Sequence, residues 1–196
     1  MRGMRRWIPW VLVAVLMLAT AAVLWNRLAP GPRDQRFDRE VRVAARLYGV
    51  DPALIKAVIW KESTFNPSAR GKVGEIGLMQ LREPAAVEWS TAEGVSGFEL
   101  EHLLNPRTNI LAGTWYLARL MRRYTHTDDP VPYALADYNA GRANVLRWIK
   151  ADGANTNSAV FVTEIGFPGT RHYVGAVMER RERYRTAPRS ALGPGG

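Results

Sequence analysis

Asp51-Pro-Ala-Leu-Ile-Lys-Ala-Val-Ile-Trp-Lys-Glu62-Ser63 is the stretch whose reading decides the fold. Its apolar residues recur at helical rather than alternating spacing, with Ile55, Val58 and Ile59 on one stripe that also carries Glu62. Asp51 suits an N-cap and Pro52 the first helical turn, so Glu62 falls near the negative end of the helix. Apolar neighbours and the helix dipole both disfavour the carboxylate anion, which predicts a raised pKa. A carboxyl still protonated near neutrality is what a general acid needs. The alternative is an exposed glutamate at a frayed helix end.

Helical patterns extend outward on both sides. Phe37, Val41, Ala44 and Tyr48 recur at helix spacing and stop at Gly49. Asn105-Pro106 opens a long amphipathic helix with Ile110, Thr114, Leu117, Met121 and Tyr124 along one stripe. Thr125 to Pro132 reads as a polar linker before a helix from Tyr133 to Ala140, with Gly141 at its C′ position. A shorter helix carries Val145, Leu146, Trp148 and Ile149, and Thr170 is placed to cap a last one with Tyr173, Val177 and Tyr184 inward. Residues 66–77 and 90–105 form long connections, which in compact domains are often functional. With no strand pattern or internal repeat, the fold class is all-α.

The 47% apolar content is enough for a core, and part of it lies in residues 7–25, WIPWVLVAVLMLATAAVLW. As a helix this run extends roughly 28 Å, close to the ~30 Å hydrocarbon core of a bilayer. Arg2, Arg5 and Arg6 precede it and tryptophans flank it, which predicts a transmembrane anchor over residues 1–28 with the rest of the chain outside the cytoplasm. The alternative is a cleaved signal peptide ending at Ala19-Thr20-Ala21. The apolar run continues past such a cut through Val23, Leu24 and Trp25, which favours the anchor. Pro30-Gly-Pro32 marks a linker over 29–36, followed by one domain over 37–187 and a disordered tail over 188–196.

Of the net charge of +9, four arginines fall within the first 29 residues, which hold no acidic group, leaving 23 basic against 18 acidic residues, a net of +5. That excess suits an anionic polymer or a membrane surface. No helix-turn-helix, RNP-like or zinc pattern accompanies it, so nucleic acid is not the expected partner. Cysteine is absent, which excludes disulfides and a lipidated cysteine anchor. His102, His126 and His172 lack metal-ligand spacing, and neither a Ser-His-Asp order nor a phosphate loop is visible, so no metal or cofactor is expected.

Four motifs stand in order: Glu62-Ser63-Thr-Phe-Asn-Pro67, Gly77-Leu-Met79-Gln80, Tyr138-Asn139-Ala-Gly141, and Phe161-Val-Thr-Glu164-Ile-Gly-Phe-Pro-Gly-Thr170-Arg-His-Tyr173-Val174. Together they resemble the soluble lytic transglycosylase family of peptidoglycan-cleaving enzymes over roughly residues 37–185. The resemblance implies a lysozyme-like helical fold of the goose-type kind, with peptidoglycan glycan strands as the partner. Any cell-envelope assembly partner stays unnamed. It also implies a single catalytic acid, Glu62. This residue protonates the oxygen between N-acetylmuramic acid and N-acetylglucosamine. As a carboxylate it then takes a proton from the muramoyl 6-hydroxyl, leaving a 1,6-anhydro end. By position the family's substrate contacts fall on Ser63, Met79, Gln80, Tyr138, Asn139 and Glu164, with the tyrosine hydroxyl near the acid. Helix-terminal polar residue (Ser63), core filler (Met79), structural tyrosine (Tyr138) and surface glutamate (Glu164) are the competing readings. Gly71 stands where relatives often carry serine, Gly166 replaces a common proline, and Gly169 a glutamate. Glu75 lies where a small residue is usual, and a second carboxylate there could hold a water and turn the enzyme into a hydrolase.

Overall fold

The computed structural model describes Met17, Thr20 and residues 33–150 and 154–186. From Phe37 onward the described residues form one compact unit. The expected anchor over 1–28, apart from Met17 and Thr20, and the tail over 188–196 lie outside the described residues. No helix among the described residues is long and apolar enough to cross a membrane.

Local chemistry sets the helix starts. α1 (Asp38–Tyr48) stops where Gly49 takes φ 67°, a left-handed conformation that glycine adopts without a Cβ penalty. α2 (Pro52–Ser63) begins as expected, the Asp51 carboxylate accepting from Ala53 N–H at 2.9 Å with Pro52 in the first turn. α3 (Glu83–Ala92) has no counterpart in the sequence reading. A 3-10 helix (Leu100–Leu104) leads into α4 (Pro106–Arg123), whose Asn105 cap accepts from Arg107 and Thr108 N–H. α5 runs Pro130–Ala140, three residues earlier than the Tyr133 start expected: Asp129 accepts from Val131 N–H and Pro130 occupies the first turn. Pro130 and Pro132, expected in a linker, sit in the first turn of the helix, where proline is tolerated. Gly141 ends α5 at a positive φ (82°, ψ 155°) that suits glycine, its N–H bonding Asp137 O, and α6 (Arg142–Trp148) follows at once. α7 (Ser158–Glu164) and α8 (Pro168–Thr186) follow; Thr170 lies inside α8 instead of capping it. No strand is present among the described residues, only isolated bridges between Arg70 and Ile76 and between Ile76 and Leu81.

α2 is buried on all sides rather than along one stripe: Ala53 to Ile59 are all buried, including Lys56. It packs against α8 and α1, while α4 packs against α1 and α5. Leu54, Ile55, Val58 and Ile59 are fully sequestered, each contributing about 2 kcal/mol to the core. Lys56 is tolerated because its ammonium meets the Asp38 carboxylate of α1 at 2.8 Å and lies 5.0 Å from the Tyr184 ring centroid. A smaller apolar cluster gathers Ile76, Leu81, Trp89 and Leu103 around α3 and the 3-10 helix. Tyr138 packs against both clusters, and the cleft described next takes its walls from both.

Candidate active site

The last turn of α2 delivers Glu62 into a cleft of about 450 Å³. α2 ends sharply because Thr64 and Phe65 both adopt positive φ (51° and 61°), which turns the chain into the loop over 66–82. That loop forms the facing side, and its shape depends on one buried residue. Asn109, on the inward face of α4 and wholly sequestered, donates to the carbonyls of Ile76 (2.8 Å) and Leu103 (2.9 Å) and accepts from Met79 N–H (2.8 Å). The Ser63 hydroxyl shares its proton between the carbonyls of Ile59 (3.1 Å) and Leu78 (2.8 Å), tying α2 to the loop.

Glu62 is half-buried, and its Oε1 accepts from the Tyr173 hydroxyl of α8 at 2.6 Å. Burial pushes its pKa from 4.5 to about 7; the Tyr173 hydrogen bond opposes this, the Glu75 anion adds to it and Lys61 opposes it. The carboxyl thus holds its proton much closer to neutrality than an ordinary glutamate does, the condition a group needs to give and then take back one proton. Tyr173 is nearly fully buried and its own pKa stands well above 10, through burial and the adjacent Glu62, so it remains a donor.

Gln80, Tyr138 and Asn139 line the same cleft as Glu62. Gln80 adopts φ 47° and spends its amide donors on the carbonyls of Ala69 (3.2 Å) and Gly77 (2.9 Å), while its side-chain carbonyl has no partner among the described residues. Asn139 is exposed, and its side-chain carbonyl accepts from the Thr170 hydroxyl at 2.8 Å. The Tyr138 hydroxyl lies near enough to the Glu62 carboxyl to feel its charge but donates to Met79 O at 2.6 Å; the hydroxyl that bonds Glu62 directly is that of Tyr173. Met79, expected to touch the glycan, is fully buried, with its side chain packed so tightly on Gly113 that a Cβ there would overlap its sulfur. Its place in the site is made through its backbone. Ser63 is outside the cleft lining, its hydroxyl engaged by carbonyls, and Glu164 is exposed at the end of α7, also outside that lining.

Three further residues come from the fold alone. Tyr116 lines the cleft with its ring 5.5 Å from that of Tyr138. Asp137 lines it too, but its carboxylate is engaged by Arg123 (3.0 Å) and the Tyr124 hydroxyl (2.8 Å). Asn109 shapes the loop from behind. The signal for Asn109 is an uncharged polar residue one helical turn before Gly113 and two before Leu117, on a face that must be buried.

Residues 40–161 match the model of the Transglycosylase SLT domain. Membrane-bound lytic murein transglycosylase C of Klebsiella pneumoniae (strain 342) is 38% identical over 134 residues, covering 64% of this chain and 37% of that protein. Soluble lytic murein transglycosylase of Escherichia coli (strain K12) is 32% identical over 130 residues, 66% of this chain and 20% of that one. The chain therefore spans 37% or less of the length of these curated relatives. Among solved structures, the 70 kDa soluble lytic transglycosylase of Escherichia coli superimposes with a TM-score of 0.68 at 26% identity, covering 83% of this chain and 27% of that one. An inactive glutamate-to-glutamine mutant of the Pseudomonas aeruginosa lytic transglycosylase Slt gives 0.68 at 28% identity, over 85% of this chain and 28% of that one. The helical arrangement is that of the lytic transglycosylase fold.

Proposed function

The chain belongs to the Transglycosylase SLT domain family, and from that premise we propose that it is a peptidoglycan lytic transglycosylase. It cleaves the β-1,4 bond between N-acetylmuramic acid and N-acetylglucosamine and leaves a 1,6-anhydromuramoyl end. The observation that carries this reading is Glu62, half-buried in the cleft, held by Tyr173 and poised near pKa 7. Protonated Glu62 gives its proton to the glycosidic oxygen as that bond breaks. The carboxylate then removes the proton of the muramoyl 6-hydroxyl, whose oxygen closes on the anomeric carbon. Glu62 ends as it began, and no water is consumed. Tyr173 aims the carboxyl and stabilises the anion formed midway. Gln80, through its side-chain carbonyl, and Asn139, through its amide NH₂, supply the acceptor and donor that acetamido groups require. Ser63, Met79 and Tyr138 act by fixing the loop that carries Gln80.

In support of the membrane, one relative carries "membrane-bound" in its name, and the 7–25 run has the length and flanking arginines of an anchor. We read it as one span that leaves the catalytic domain outside the cytoplasm. A reporter fused after residue 28 that works only in the cytoplasm would refute that topology.

The activity is tested by digesting purified peptidoglycan and weighing the muropeptides, since anhydro ends are lighter by one water than reducing ends. Anhydro ends are expected, and Glu62→Gln should reduce their yield by roughly 100-fold or more. Glycan binding without cleavage, or cleavage undiminished in Glu62→Gln, would overturn the assignment.

A further inference from the structure

The cleft holds a carboxylate for which the single-acid reaction has no use. Glu75 is half-buried and lines the cleft with Glu62, on the loop that also carries Gln80. It is held there in a defined way. Its Oε2 accepts from Val73 N–H at 3.1 Å, and its backbone carbonyl accepts from Gly71 N–H at 2.8 Å, so the loop curls around its own side chain. The carboxylate rests against Gly71, where a Cβ would overlap Oε2 and crowd the rest of the carboxyl group. Gly71 and Glu75 are therefore a matched pair: the missing side chain at one position makes room for the charged one at the other. Asp137, another acid of the lining, is neutralised by Arg123 and Tyr124, whereas among the described residues Glu75 has a single backbone donor and no cation. It is also near enough to Glu62 to help hold that group protonated.

An acid beside an unpaired carboxylate in one glycan cleft is the equipment of a hydrolase, in which the second group activates water. We propose that Glu75 is a catalytic residue of a hydrolytic branch that competes with anhydro-ring closure in this cleft. In that branch Glu62 gives its proton to the departing glycosidic oxygen while the bond to the anomeric carbon breaks. A water bonds to that carbon and passes a proton to Glu75, leaving a reducing N-acetylmuramic acid end. Solvent then takes the proton from Glu75 and returns one to Glu62, so no other reactant is consumed. When Glu75 attracts no water, the muramoyl 6-hydroxyl closes the ring instead. The inference rests on the transglycosylase reading of the same cleft and adds a second product to it.

The partition between the two ends is the measurement, because it does not depend on how much protein is folded. The full chain is incubated with purified peptidoglycan, and reducing and anhydro muropeptides are counted by mass in the same digest. The wild type should release both. Glu75→Gln should lower the ratio of reducing to anhydro ends by roughly 100-fold, the scale of a lost general base, while anhydro ends persist. Gly71→Ala leaves Glu75 in the chain but displaces its carboxyl group, and should lower the ratio in the same direction. Wild-type digests with anhydro ends alone, or a ratio unchanged in Glu75→Gln, would overturn the branch while leaving the transglycosylase reading intact. Absence of all cleavage would overturn both.

Discussion

Replacing Glu62 with glutamine should stabilise the protein in alkaline solution while disabling it, and the size of the gain can be worked out. In the unfolded chain the carboxyl titrates near its ordinary 4.5; in the cleft burial raises it to about 7. Between those values the folded protein retains a proton that the unfolded chain has lost, so stability falls as pH rises through that window. At about 1.4 kcal/mol per tenfold change in proton affinity, the full penalty is ~3 kcal/mol, trimmed toward ~2 kcal/mol by the solvent that reaches a half-buried group. Glutamine keeps the shape and an acceptor for Tyr173 but has no charge to desolvate. The difference in stability between Glu62→Gln and wild type should therefore grow by ~2–3 kcal/mol between about pH 4.5 and about pH 8. At about 2–4 °C per kcal/mol for a domain of this size, the Tm gap widens by roughly 4–12 °C. Thermal unfolding of both proteins at the two pH values measures it. A gap that is the same at both would show that the carboxyl is not desolvated, and the account of its poise would fail.

Tyr173→Phe removes a hydrogen bond that favours the Glu62 anion, so the alkaline limb of the pH–activity profile should move to higher pH, with kcat/KM lowered about tenfold; an unmoved limb would refute the pairing. Asn109→Ala should cost about 3 kcal/mol in denaturant unfolding, because it orphans two carbonyls and an amide, and should lower activity although Asn109 is absent from the cleft lining. Wild-type turnover would refute it. Lys56→Met leaves the Asp38 carboxylate buried without its partner and should destabilise by ~3–5 kcal/mol, most of it regained when Asp38→Asn is added; additive losses in the double variant would refute the pairing.

What could be read from the chain was whatever is decided locally. Asp51-Pro52 and Asn105-Pro106 announce helix starts because an Asx side chain and the amides just beyond it are all the chemistry involved. Asp129-Pro130 carries the same signal, yet Pro132 and the polar residues before it masked it as linker. α3 went unread because only Ala86, Trp89 and Ser90 among its residues are buried, too sparse a face for a clear period. In the site, Glu62 follows from its own helix, whereas its partner is set by tertiary packing: the choice between Tyr138 and Tyr173 depends on how α8 lies along α2. Burial likewise decides Met79, an apolar residue whose place in core or cleft no spacing distinguishes.

The contact between Tyr173 and Glu62 joins positions 111 residues apart, and it is made by the last helix described. Until that helix docks, the carboxyl lacks the hydroxyl that aims it and steadies its anion. Both helices must therefore be in place before the carboxyl is held in line.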